Sequence, residues 1–375
     1  MIAPFDRTDQ SVISRWWWTV DHLTLLVLLG LAGLGVLLVT TASPPVADRI
    51  GLDSYYFANR HLMLLIPALL AMVMVSLMSP VGVRRIALLL LAGSMVVMVA
   101  VLVFSDPIKG AQRWIRIFGF SVQPSEFVKP AFAVTSAWLF ARSHSHPGFP
   151  GHALGTVLYG LVLALLLLQP DIGMSFVVTI IWLAQFFLAG LPMVMIAAVA
   201  VLGISGMVAA YFVFPHFANR INLFLDPTSG DSYQVQRSLE AFREGGLTGT
   251  GPGHGTVKYL LPDAHSDFVF AVAGEEMGLM MTLPILALFA FVVLRGLHRS
   301  LKIGDLFVLL ACTGLIIQFG LQAMIHMGSA LRLIPTKGMT LPLLSYGGSS
   351  LIALGLGLGM MLALTRKQSM TGDRP

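Results

Sequence analysis

Long apolar runs separated by short polar interruptions make up most of this 375-residue chain. A helix needs roughly 20 apolar residues to cross the hydrocarbon core of a bilayer. Ten stretches meet or approach that length: 22–42, 61–79, 85–105, 127–142, 152–168, 172–189, 192–214, 267–295, 304–330 and 347–365. The fourth is the shortest. The fifth and sixth are divided only by Gln169-Pro170-Asp171, which reads as a tight turn. Backbone polar groups find no water in lipid, so runs of this kind must be helices. The pattern predicts an all-α integral membrane protein of about ten transmembrane helices, with a large extracytoplasmic loop between the seventh and eighth. No soluble domain fits between the runs, so 1–375 reads as a single polytopic membrane domain.

Composition agrees: 56% of residues are hydrophobic and 11% charged, against about 25% charged in ordinary soluble domains. The formal charge of +5 is small and no Lys/Arg block resembles a nucleic-acid arm, so no nucleic acid is expected as a partner. Cys312 is the sole cysteine, which excludes an intrachain disulfide and leaves a small buried hydrophobe. Residues 22–39 are too long for a signal-peptide core of roughly 7–15 residues and read as a retained first span. Arg7, Arg15, Arg84, Arg85, Arg142, Arg295, Arg299, Lys302, Arg366 and Lys367 all fall on the N-terminal side of the spans. By the positive-inside rule, 1–21 and 366–375 are then cytoplasmic tails, and 106–126 and 215–266 face outward. Trp16-Trp17-Trp18 reads as an interfacial belt.

Charges at membrane depth are expensive and by default mark function. The loop 106–126 is basic through Lys109, Arg113 and Arg116, with Trp114 among them. Gln123-Pro124-Ser125-Glu126 is a helix-start signal. Lys129 follows one turn later. A lone Lys at such a place usually snorkels to the interface, but its i, i+3 spacing from Glu126 permits an ion pair on one helix face. Asp171 stands where an N-cap of the next helix would stand, a reading that competes with a catalytic one.

The longest polar segment is 215–267. Its Arg220 and Asp226 read as plain loop residues. Val235, Leu239 and Phe242 recur at helical spacing, which predicts an amphipathic helix over 231–244 lying on the membrane surface. Glycines at 245, 246, 249, 251, 253 and 255 follow, either as a flexible loop or as backbone able to approach an anion closely. Asp263, His265 and Asp267 have ligand-type side chains, but no second cluster completes a metal site. Asp267 runs straight into an apolar span, with Glu275 and Glu276 behind it. An Asp here either caps a helix or acts as a general base, its pKa raised by burial and lowered by any nearby Lys. Prolines and glycines across 331–350 predict a re-entrant or broken-helix segment. Gly355 and Gly359 form a G-x-x-x-G, a close-packing motif.

Several of these stretches agree in order and wording. Gly110-Ala111-Gln112-Arg113-Trp114-Ile115, QPSE followed by Lys129, LLQPDIG, LPDAHSDFVFAVAGEEMG and PTKGMTLPLLSYGGSS together resemble the SEDS family of polytopic cell-wall polymerases, over essentially all ten spans. HSDFVFAVAGEE and PTKG with SYGGSS look more like the division members than the elongation members. The resemblance implies a peptidoglycan glycosyltransferase that uses lipid II at the division septum of a bacterial inner membrane. The alternatives are a lipid II flippase and a non-catalytic scaffold. The implied partners are a class B penicillin-binding protein and other divisome membrane proteins. By the family pattern Asp267 is the essential acid, Trp114 the functional Trp of G-x-x-R-W, and Lys129 the Lys after QPSE. Glu126 would orient Lys129. Arg113 and Lys129, then Arg243 and Lys258, are the candidate partners of a departing diphosphate, with His265 and Ser125 as further substrate contacts. A divalent cation, Mg or Mn, is a candidate to share that task. Asp263, Ser266, Arg237 and Pro252 depart from the usual Glu, Thr, Gln and Leu. On this reading Asp267 faces Lys129 across an outward cavity.

Overall fold

The computed structural model describes residues 11–105, 112–117, 119–190, 193–225, 233–335 and 338–366. Arg7, Lys109, Gly110, Ala111, Asp226, Thr336, Lys337 and Lys367, and the side chain of Arg220, lie outside that description.

A helix stands at every one of the ten apolar runs. These are α2 (His22–Arg49), α3 (Tyr56–Ser76), α4 (Pro80–Phe104), α5 (Pro124–Ser145), α6 (Gly151–Leu168), α7 (Ile172–Leu188), α8 (Met193–Val213), α11 (Val269–Ser300), α12 (Leu306–Ala330) and α13 (Gly348–Leu364). Among the described residues, six of them (α2, α3, α4, α6, α11 and α12) are both long and apolar enough to cross a membrane unaided. The fold is an all-α membrane fold. One apolar cluster runs through it from Trp16 to Leu364, and Cys312 is fully buried within it.

Glycine sets the closest approaches. A Cβ on Gly355 or Gly359 would stand 2.2 Å from the Ala68 carbonyl oxygen or 2.6 Å from that of Met72, so the G-x-x-x-G seats α13 on α3. A Cβ on Gly35 would lie 2.2 Å from the Leu343 carbonyl oxygen. That notch lets the non-helical stretch between α12 and α13 press against α2. The stretch carries buried Leu341, Leu343, Leu344 and Ser345, which fits the re-entrant reading. Its backbone is tolerated at depth because protein encloses it.

Four features differ from the sequence reading. The loop before α5 holds a short antiparallel hairpin, β1 (Ile115–Ile117) and β2 (Phe120–Val122), turning at Gly119 with φ 78°. Two further helices, α1 (Val12–Thr19) and α9 (Pro215–Leu225), flank the spans. In α1, Trp16 is buried and donates to the Ser76 hydroxyl at 2.8 Å, while Trp17 and Trp18 stay exposed. The amphipathic helix forms as α10 (Tyr233–Gly245), but its apolar face meets protein rather than lipid. Phe242 packs on Phe270 of α11, and the buried Ser238 hydroxyl donates to the Ala330 carbonyl at 2.7 Å.

Candidate active site

Asp267 lies in a turn two residues before α11, on the end of the bundle that carries the hairpin. Backbone bonds fix this turn: the N–H groups of Ser266, Asp267 and Phe268 all donate to the Asp263 carbonyl. The re-entrant stretch then pins it from outside. Tyr346 N–H donates to the His265 carbonyl at 3.0 Å, and the Ser345 hydroxyl to that of Ser266 at 2.7 Å. The Asp267 carboxylate is half-buried against Gly338, where a Cβ would come within 2.9 Å of Oδ2. Only a residue without a side chain leaves the carboxylate that room.

A buried polar chain stands behind the same stretch. Lys129 is fully buried and pairs with Glu126 at 2.7 Å, so it does not snorkel. Its ammonium also donates to Gln322 Oε1 at 3.1 Å, and Gln322 donates onward to the Thr340 carbonyl at 3.1 Å. Thr340 and Ser350 hydroxyls meet at 2.8 Å. Asp267 and the Lys129–Gln322 pair thus touch positions 338 and 340, separated by at most about 7 Å of extended chain. They share one segment. The expected outward cavity between them is replaced by this layer, because Lys129 is sealed inside.

Several other predicted contacts are committed elsewhere. Arg113 donates through Nε to the Gln169 carbonyl at 2.7 Å and through Nη2 to that of Pro170, with Asp171 3.8 Å from Nη1. It therefore ties the hairpin to the α6–α7 turn instead of standing open to a diphosphate. Asp171 is an N-cap, accepting from Met174 N–H at 3.2 Å. Ser125 is buried and accepts from Gln123 Nε2 at 3.0 Å, which removes it from substrate contact. Trp114 and Arg243 are exposed and available to a substrate.

Lys258 also departs from the expectation. Its ammonium has three donors, and all three are used: on Glu276, on the Thr41 carbonyl at 3.0 Å and on the Gly253 carbonyl at 3.2 Å. None is left for a diphosphate. Glu275 accepts from the N–H groups of Val257 and Lys258 at 2.6 and 2.9 Å. The glycine run docks part of its backbone on α11. Thr250 and Gly251 N–H donate to the Glu275 and Glu276 carbonyls, and a Cβ on Gly249 would meet the Glu276 oxygen at 2.2 Å. Gly278, at φ 63°, breaks α11 so that Leu279 and Met280 can bond back to this loop.

His265 is buried, stacked on Phe57 at 4.0 Å and tilted against Tyr346 at 5.3 Å, which makes it a wedge in the turn and not a substrate contact. Burial first, and then the Arg49 charge, push its pKa down to about 4. Among the described residues no three ligand-type side chains converge on a metal position.

Two cations escaped the sequence reading. Arg49 donates to the Pro262 carbonyl at 2.5 Å. Arg60 donates to the Gly119 carbonyl at 2.9 Å and lies over the rings of Tyr56 and Phe120, each at 5.1 Å. Arg60 sits one turn into α3, the same signal that marked Lys129 in α5.

The fold and site define a polytopic helical membrane protein with a carboxylate held at one end of the bundle over a buried Lys–Glu pair. The chain belongs to the FtsW, RodA and SpoVE family of cell cycle proteins, whose family model matches residues 21–370. It is 43% identical over 365 residues to the probable peptidoglycan glycosyltransferase FtsW of Caulobacter vibrioides, covering 97% of this chain and 94% of that protein. The Escherichia coli O6:H1 protein of the same name is 36% identical, covering 92% of this chain and 85% of its own length. A chain solved under the description "Structural coordination of polymerization and crosslinking by a peptidoglycan synthase complex" superposes with a TM-score of 0.76 at 27% identity, covering 92% and 97%. The rod shape determining protein RodA of Thermus thermophilus does so at 0.66 and 26%, covering 94% and 99%.

Proposed function

We propose that this chain is a peptidoglycan glycosyltransferase that polymerises lipid II into glycan strands during septal wall synthesis, from the outer side of a bacterial inner membrane with both termini cytoplasmic. The observation that carries the reading is the half-buried Asp267 carboxylate, seated at Gly338 in a turn fixed by backbone bonds. In the reaction an acceptor sugar hydroxyl attacks the anomeric carbon of the donor. The new glycosidic C–O bond forms as the bond to undecaprenyl diphosphate breaks, and Asp267 takes the hydroxyl proton.

The departing diphosphate carries the growing negative charge, so fixed cations must face it. Arg49 borders the Asp267 turn through Pro262, and Arg60 approaches it through Tyr346, whose N–H bonds the His265 carbonyl. Exposed Arg243 is a further candidate, whereas Lys129, sealed inside and paired with Glu126, acts on the site by holding the segment at Thr340 through Gln322. Trp114 offers an exposed ring to the sugar or lipid. A divalent cation, Mg or Mn, fits only as a companion of the substrate's own oxygens beside Asp267, the arrangement usual for Mg²⁺. The partner in crosslinking would be a class B penicillin-binding protein, with other divisome membrane proteins nearby.

Purified protein incubated with lipid II, with and without that partner and with and without chelator, tests the reading. Glycan strands are expected; lipid II moved across vesicles without strand formation would mark a flippase instead. Strands that survive chelation would remove the cation from the scheme.

A further inference from the structure

At the end of the bundle opposite Asp267, the last turns of α11 and the residues that follow α11 and α13 border an open cavity of about 590 Å³. Arg295, His298, Arg299, Lys302 and Arg366 line it. Asp21 balances only part of that charge. Arg295 grips it at two points, 2.6 and 2.7 Å, and Arg299 stands 3.5 Å from the same carboxylate. Lys302 and Arg366 have no carboxylate partner among the described residues. Burial and the like charge of Arg15 both lower the pKa of Arg366, so its cation is held against resistance. Arg299 also donates through Nε and Nη2 to the Thr365 carbonyl at 3.3 and 2.9 Å, and Arg366 through Nη2 to that of Met78 at 2.7 Å, so Lys302 and the remaining guanidinium donors are what face the open volume.

The approach to this cavity is apolar. Phe291, Leu294 and His298, and the C-cap residue Leu301, are spaced three, four and three residues apart, which puts them on one face at the end of α11. All of them are exposed, Leu294 at 66% and Leu301 at 69%. An apolar stripe therefore leads to His298 at the cavity's edge, and the ring of Phe291 lies 5.7 Å from the Arg295 guanidinium. A soluble anion has no use for such a stripe. A molecule with an anionic head and hydrocarbon tails fits both parts.

We propose that this cavity binds the phosphate head of an anionic phospholipid, with its acyl chains lying along the Phe291–Leu294–Leu301 face. Guanidinium forks suit phosphate oxygens, and basic pockets between helices at the cytoplasmic side are built for such heads. The location at the cytoplasmic end rests on the charge-derived orientation; the binding chemistry does not rest on the catalytic role of Asp267.

Native mass spectrometry of the full chain in detergent, titrated with phosphatidylglycerol or with phosphatidylcholine of the same chains, tests it. Each cation near a membrane surface contributes roughly fivefold to such binding. Phosphatidylglycerol should bind at least about tenfold better than phosphatidylcholine, and Lys302→Gln with Arg366→Gln should lose roughly 30-fold. If that double variant is poorly recovered, Lys302→Gln alone, at an exposed position, should lose roughly fivefold. Equal retention of the two lipids, or undiminished binding in these variants, would overturn the proposal. So would displacement by millimolar inorganic phosphate, which would mark a free-anion site. Displacement by polyglutamate, the mark of an acidic protein partner, would overturn it equally.

Discussion

Gly338→Ala is the most informative small change to the site. Its Cβ would stand 2.9 Å from Asp267 Oδ2, 3.6 Å from the carboxyl carbon and 3.7 Å from Oδ1. Unstrained contacts lie near 3.5–4.0 Å, so the carboxylate must retreat by roughly 0.5–1 Å. The backbone needs no left-handed conformation at 338, so the substitution introduces no strain of its own there. The clash is with the end of a side chain that can rotate, and stability should change by less than about 1 kcal/mol. Geometry at the reacting atoms is less forgiving, since a misplacement of about 1 Å can cost about 100-fold in rate, or roughly 2.7 kcal/mol. Lipid II polymerisation by the purified variant should therefore fall between roughly tenfold and 100-fold at an unchanged melting temperature. Gly160→Ala, where a Cβ meets nothing within 4 Å, is the matched control. Activity within twofold of the parent in well-folded Gly338→Ala would refute the claim that Asp267 works from this seat.

Three more outcomes follow from the packing. Lys129→Met leaves Glu126 charged and unpaired in the interior and should cost about 3–5 kcal/mol; adding Glu126→Gln should recover much of that loss in thermal melts, and full additivity of the two would contradict the pair. Gly249→Ala places a Cβ 2.2 Å from the Glu276 carbonyl at φ 82°, so limited proteolysis should cut the 245–260 loop faster than in Gly160→Ala. His265 has a folded pKa of about 4 against about 6.5 unfolded. The unfolded chain therefore binds the proton more readily between those values, and stability falls as pH drops through that window, by roughly 2 kcal/mol at pH 5. His265→Phe, which keeps a ring against Phe57, should flatten the melting temperature between pH 7 and pH 5; an unaltered slope would contradict the assignment.

How much of this was legible in the chain depends on the range of the interaction. Spans follow from hydropathy, and the Glu126–Lys129 pair follows from i, i+3 spacing, because both are local. The periodicity of α10 was equally local, but its docking on Phe270 and the Ala330 carbonyl was not, and a free amphipathic helix looks the same in sequence. The glycine run misled for a related reason. Gly245, Gly249 and Gly255 lack side chains because the 274–276 segment of α11 lies against them, and nothing in their spacing names that partner. Lys258 reads in sequence as an available cation, but Glu276, Thr41 and Gly253, all distant or backbone partners that spacing does not name, consume its donors. Arg49 and Arg60 carried a readable signal, a cation near a span's outer end, but were outweighed by the longer polar segments.

The most direct test of the account is polymerisation of lipid II by purified Asp267→Asn protein in detergent, with its transpeptidase partner present and folding verified. Asn keeps the shape and loses the base, and general-base catalysis is worth about 100- to 10,000-fold. A loss in that range is expected, with lipid II binding retained. Strand formation within threefold of the parent rate would contradict it.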